Sequence, residues 1–162
     1  MTWSDSDFQA GLEYQDFITR NLYFRGIILI GLVGRRDQKV IGENLLGLEI
    51  KLDRYLSEKG TLFIETEQRD TAGEWKPSGA FANDKAWLFG IGDYSEFFIF
   101  SKKFLQRVAL SSLKQLEKWG ICKKSVKSGD AAGIVIPRGF AEKHADLWMM
   151  FPSTAAKAAK SL

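Results

Sequence analysis

Two stretches of the chain alternate strictly between apolar and polar positions. In Leu46-Gly-Leu-Glu-Ile-Lys-Leu52, an extended backbone places Leu48, Ile50 and Leu52 on one face and Glu49 and Lys51 on the other. In Thr61-Leu-Phe-Ile-Glu-Thr-Glu67, Leu62 and Ile64 face one way, and Phe63, Glu65 and Glu67 face the other. Both patterns predict strands with one covered face. The unbroken apolar run Gly26-Ile-Ile-Leu-Ile-Gly-Leu-Val-Gly34 predicts a strand covered on both faces. Ala86–Ile91 and Glu96–Phe100 predict a hairpin joined through Gly92-Asp93-Tyr94, and Gly133–Pro137 and Leu147–Phe151 predict two last short strands.

Helical spacing marks two segments. Ser4 or Asp5 can cap a first helix whose apolar face is Phe8, Leu12, Ile18 and Leu22, ended by Gly26. Ser101 caps a second, with Phe104, Val108, Leu113 and Leu116 as its buried stripe and Gly120 closing it. Arg69 to Pro77 reads as a polar loop and Ser125 to Asp130 as a polar linker. The order of elements predicts an α+β fold, a mixed β-sheet core flanked by helices. Residues 1–151 form one expected domain, and the aromatic-free residues 152–162 an expected frayed tail.

Composition narrows the classes. At 45% hydrophobic and 13% aromatic residues the chain can build a core, which excludes a disordered segment. The single cysteine, Cys122, excludes an internal disulfide framework and a cysteine-rich zinc site. No apolar run approaches the roughly 20 residues of a membrane span, and the N-terminus lacks the basic and apolar regions of a secretory signal. The expected setting is cytoplasmic, without a membrane partner. A net charge of +3 permits a polyanionic partner without requiring one.

The candidate chemistry lies in the two alternating stretches. Glu49 and Lys51 share a strand face, so both can reach one phosphate. Glu43, six residues before Glu49, falls on the same face if the chain stays extended, and Glu65 on the adjacent strand can point into the same site. Several carboxylates around a lysine suit a metal-dependent phosphodiesterase. The acids hold a hard cation, and the lysine helps to stabilise charge on the phosphorus centre.

Glu49-Ile-Lys51 resembles the ExK half of the PD-(D/E)XK nuclease signature, and Gly47-Leu-Glu-Ile-Lys51 is similar to the corresponding strand of a mismatch-repair nicking enzyme. Glu49-Ile-Lys51-Leu-Asp53, Gly60, Ile64-Glu65 and Pro77-Ser-Gly79 follow in the order found in phage and bacterial nuclease-like members, over roughly residues 8 to 91. The resemblance implies a restriction-endonuclease-like fold and an endonuclease that cleaves DNA with Mg²⁺, or with Mn²⁺ in its place. Many such enzymes work as homodimers. It implies that Glu49 binds metal, that Lys51 is the signature lysine and that Glu65 is an accessory acid, with Glu13 matching a helix acid of some members. The family's first acid is usually Asp; here Glu43 is preferred by strand parity and Asp37 is the other candidate. A second register takes Glu49 as first acid and Glu65-Thr-Glu67 in place of ExK.

Other readings stay beside this one. An isolated ExK is ordinary on a solvated strand face. A non-catalytic nucleic-acid-binding module that keeps the fold, or an unrelated α+β protein, would carry the same residues. His144 has no predicted nucleophile beside it, and Gly90-Ile-Gly92 lacks the third glycine of a dinucleotide fingerprint. Arg35, Arg36, Lys39, Arg54, Lys102, Lys103 and Arg107 are candidate phosphate contacts. Trp87 and Trp148 are core candidates, and Trp75, in a polar loop, is a candidate base-stacking residue.

Overall fold

The computed structural model describes residues 5–31, 44–126 and 129–152, with side chains from residue 9 onward. Strand alternation and helix spacing produce an α+β architecture in which two four-stranded sheets share one core. The first sheet has the order β1 (Leu48–Leu52), β4 (Leu88–Gly92), β5 (Glu96–Ser101), β8 (Leu147–Met150). It is mixed: β1 runs parallel to β4, and the other pairs are antiparallel. The second sheet is antiparallel throughout, with the order β3 (Trp75–Pro77), β2 (Thr61–Arg69), β7 (Ala131–Pro137), β6 (Cys122–Ser125).

The run Phe97-Phe-Ile-Phe100 in β5 explains how the layers stack. Four consecutive apolar residues suit a strand covered on both faces. Phe98 and Phe100 enter the inter-sheet core with Phe89 and Ile91 of β4, Leu62 and Ile64 of β2, and Ile134 and Ile136 of β7. Phe97 and Ile99 face the other way, where α1 (Asp5–Tyr23) lays Tyr14, Ile18 and Leu22 over Leu48, Ile50 and Met149. The spacing of those three helix residues is the i, i+4, i+8 stripe of an amphipathic helix. Leu12, expected on that stripe, is exposed at its edge.

The expected second helix is two. After α2 (Leu56–Lys59), α3 spans Lys102–Ala109 and α4 spans Leu113–Lys118. Ser101 caps α3 by accepting a hydrogen bond from Phe104 N, and Ser112 caps α4 by accepting one from Gln115 N. The second cap restarts the helix after Leu110, so the buried residues are Leu105, Val108, Ala109 and Leu116, while Leu113 is exposed. Gly120, at φ +69, ends the second helix as expected.

Several expectations are corrected. Residues 27–30 are not a strand: Ile27 and Leu29 pack toward the α1 core while Ile28 and Ile30 are exposed, and only Gly31 makes an isolated bridge, to Asn44. The rest of that run, and the extended stretch expected near Lys39, lie outside the described residues. β1 and β2 are not neighbours in one sheet; the short α2 between them carries the chain across to the other layer. β1 is therefore an edge strand among the described residues, and Glu65 is not on the strand beside Glu49. The loop and linker expected around Trp75 and Ser125 contain β3 and the end of β6, and α5 (Arg138–His144) follows β7 directly. Trp87 and Trp148 are exposed rather than core residues. Among the described residues no helix is long and apolar enough to cross a membrane.

Candidate active site

Strand parity places Glu49 where the sequence pattern predicts, on the face opposite Leu48 and Ile50. Its register partner is Phe89 and that of Lys51 is Ile91, both residues of the inter-sheet core. Glu49 therefore turns inward at the edge of that core and is only 7% exposed. A buried carboxylate needs compensating charge, and two lysines supply it. Lys51 Nζ lies 2.9 Å from Glu49 Oε1, and Lys102 Nζ lies 2.8 Å from Oε2. The same Lys102 ammonium donates a hydrogen bond at 2.8 Å to Asp84 Oδ1. Two carboxylates thus converge on one cationic atom, and the group of four is neutral.

Lys102 corrects the sequence reading, which offered it as a phosphate contact. It is the first residue of α3 and shares the buried stripe of Leu105 and Val108, so it is 4% exposed. Its backbone N–H is also fixed, donating to Trp87 O at 2.8 Å. Glu49 Oε2 is buried and makes no hydrogen bond; the Lys102 ammonium beside it is an ion-pair contact without hydrogen-bond alignment. Asp84 was not singled out in the sequence. It lies in the loop after the 3-10 turn Gly79–Phe81, where its Oδ1 also accepts from Ala86 N at 3.0 Å. The only sequence signal for Asp84 is turn chemistry in Asn83-Asp-Lys85.

Glu65 sits in the second sheet, opposite Gly133 in the register of β2 and β7. Its Oε1 accepts a short hydrogen bond from Ser78 Oγ. The neighbouring Gly79 has φ +52, and a Cβ there would stand 2.4 Å from Glu65 O. Pro77-Ser-Gly79 is thus a buttress that closes the chain onto Glu65. Among the described residues, no three Asp, Glu, His or Cys side chains gather as a metal-ligand group. Glu43 and Asp37 lie outside the described residues. Glu13, on α1, is exposed and accepts from Gln9. Asp53 is committed to the backbone: its carboxylate accepts from Tyr55 N at 3.0 Å and Phe63 N at 3.1 Å, pinning the path from β1 to β2.

A second buried acid, Asp93, closes the turn between β4 and β5. Burial alone would raise its pKa. Hydrogen bonds from Ser57, Ser95 and the Glu96 backbone N–H outweigh that and hold the carboxyl below its usual range. Its carbonyl accepts from the buried Tyr14 hydroxyl at 3.2 Å. Tyr14 itself is raised well above the usual phenol range, first by burial and then by nearby Asp93. Glu96 is buried and paired with Arg138 at 2.8 Å.

Two cavities flank these elements. One, of about 370 Å³, is almost wholly apolar and lies by α1 and β1, with Leu22, Leu48 and Trp87 in its wall. The other is a cleft of about 350 Å³ with Thr66, Glu67, Gly133, Leu110, Lys123 and Lys124 among its lining. It adjoins the Glu65-Thr-Glu67 strand and is the more polar of the two. No family model matches the chain, and comparison with curated proteins and with solved structures returns no match.

Proposed function

We propose that the chain is a Mg²⁺-dependent endonuclease of DNA, resembling the PD-(D/E)XK superfamily, with its acid centre at Glu49. The observation that carries the reading is the convergence of the Glu49 and Asp84 carboxylates on one cationic atom, 2.8 Å from each, with Lys51 on the other oxygen of Glu49. The donor set fits Mg²⁺ in kind and number, since that ion is commonly held by one or two carboxylates with water completing its shell. Glu49 and Asp84 would hold it, and the resemblance adds Glu43; Glu65, on the other sheet and accepting from Ser78, does not gather with Glu49 and Asp84 as a metal-ligand group. When bound, the ion would polarise a phosphate and lower the pKa of a bound water. Lys51, half-exposed beside Glu49, would orient the phosphate and offset its charge.

Incubation of supercoiled plasmid with Mg²⁺ or Mn²⁺ tests this, comparing wild type with Glu49→Ala and Lys51→Ala. Nicking by wild type that disappears in both folded variants is the expected result. A wild type that cleaves neither plasmid nor single-stranded or branched DNA with either metal defeats it.

A second reading, a non-catalytic nucleic-acid-binding module, is favoured by Lys102. Its buried ammonium already neutralises the two carboxylates, and a divalent ion must displace it. On that reading DNA is bound without cleavage under every metal.

A further inference from the structure

The charge of the chain is concentrated in one segment. Between Lys102 and Lys127 there are eight lysine or arginine residues and one acid, Glu117, so the remainder of this +3 chain is net negative. Lys102 is spent inside the protein, paired to Glu49 and Asp84. The others described are displayed outward. Lys103 and Arg107 lie one turn apart on α3, Lys114 and Lys118 one turn apart on α4, and Lys123 and Lys124 lie on β6, all of them exposed. None of these six forms an ion pair with a described residue. Elsewhere the protein does pair exposed cations, as Lys76 with Glu74 at 2.6 Å.

The end of α3 and β6 border the polar cleft. Its wall includes Ala109 and Leu110 at the end of α3, together with Lys123, Lys124 and Ser125 of β6, and its floor includes Thr66, Ala132 and Gly133. The one carboxylate in the lining is Glu67, on the β2 side, across the sheet from β6. β6 is also an edge strand whose four residues are all exposed, so nothing described in the fold covers the lysines.

We infer that the cleft between the end of α3 and β6, beside Lys123 and Lys124, docks the phosphate backbone of a nucleic acid. Several unpaired cations on consecutive elements are complementary to a regularly spaced polyanion, and contacts of this kind fix position without reading sequence. The inference deepens the proposed function by naming where the nucleic acid lies. It rests on that reading only for the class of partner, because binding here needs neither metal nor cleavage.

The test is fluorescence anisotropy of labelled single-stranded DNA with the full chain, without metal, between about 50 and 200 mM salt. The variants are Lys123→Glu/Lys124→Glu on the cleft, Lys124→Glu alone, and Lys143→Glu, exposed on α5, as a control matched in charge to the single variant. The double variant is expected to bind about tenfold or more weakly and to lose about 1.4 units of log–log salt slope, about 0.7 per phosphate contact on a single strand. The control is expected to change little. Equal losses in Lys124→Glu and the control, no loss in the double variant, or no binding by wild type overturns the inference. So does displacement of the DNA by polyglutamate at equal charge concentration, which would make the cleft a site for acidic protein. Plasmid nicking that persists while this cleft proves inert would sink the inference and spare the proposed function. Binding through this cleft with no cleavage under any metal would do the reverse.

Discussion

Lys102 shows how one side chain can reverse its role between sequence and structure. Beside Lys103 and Arg107 it reads as part of a basic surface, yet its position on the Leu105–Val108 stripe carries it inside. The signal was present in the helix period, but a lysine on a buried stripe is outweighed by the expectation that charges face water. Removing one member of a buried pair leaves the other charge uncompensated, at a cost of about 3–5 kcal/mol. Lys102→Met is therefore expected to lower the urea midpoint markedly. Lys51→Met, removing a half-exposed partner of the same carboxylate, should cost under about 1 kcal/mol. Equal losses from the two substitutions would show that Glu49 does not depend on the buried cation. Glu49 and Lys51 themselves were legible because a period of two admits no ambiguity of face. Asp84 was not, because its place is set by a loop and by α3, which are distant in sequence.

Asp93 is the residue whose ionisation bears on folding. Its native pKa is depressed, so ionised Asp93 stabilises the fold at pH above its unfolded value, about 3.9. That contribution is lost as the pH falls through the native pKa. Asp93→Asn should thus destabilise at neutral pH and flatten the loss of stability below about pH 4. Parallel acid-denaturation curves for the two proteins would refute the assignment.

At the level of elements, alternation located β1 and β2, short apolar runs located β7 and β8, and the hairpin of β4 and β5 followed from two apolar runs around Gly92-Asp93-Tyr94. The pairing of these strands was not legible. β1 and β2 follow each other closely, which favours a hairpin, but α2 turns the chain and Gly60 at φ +60 ends that helix into the other sheet. The break between α3 and α4 was hidden because Ser112 looks like a tolerated helix residue until its hydroxyl is seen capping. Pro77-Ser-Gly79 was legible as a turn, while its target, Glu65, was not. The two glycines Gly73 and Gly79 separate backbone strain from contact. Both have positive φ, but only at Gly79 does an added Cβ meet backbone, 2.4 Å from Glu65 O. Gly79→Ala should cost well over the ~1 kcal/mol typical of an ill-fitting alanine, and Gly73→Ala about that amount. Thermal melts that rank them the other way would remove the buttress from the account of Glu65.

On the scale of the whole molecule, the inter-sheet core and the acid centre are parts of one equilibrium. Glu49 stands at the edge of that core, and the Lys102 ammonium ties α3 to β1 and to the loop carrying Asp84. Any cation held there in place of the ammonium must add to the stability of the native chain, by RT ln(1 + [L]/Kd), or about 2.7 kcal/mol at a hundredfold excess over Kd. In wild type the ion competes with a tethered lysine, so the gain from Mg²⁺ should be small. In Lys102→Met the competitor is gone while both carboxylates remain. The variant should start less stable and regain melting temperature more steeply with Mg²⁺ or Mn²⁺ than wild type does. Sodium chloride at matched ionic strength should not reproduce this, because screening of exposed charges does not depend on residue 102. Adding Glu49→Gln to Lys102→Met should abolish the metal response. If metal raises the melting temperature of none of these proteins beyond the salt control, the convergence of Glu49 and Asp84 is a brace for the fold, and the acid centre has no claim on a divalent ion.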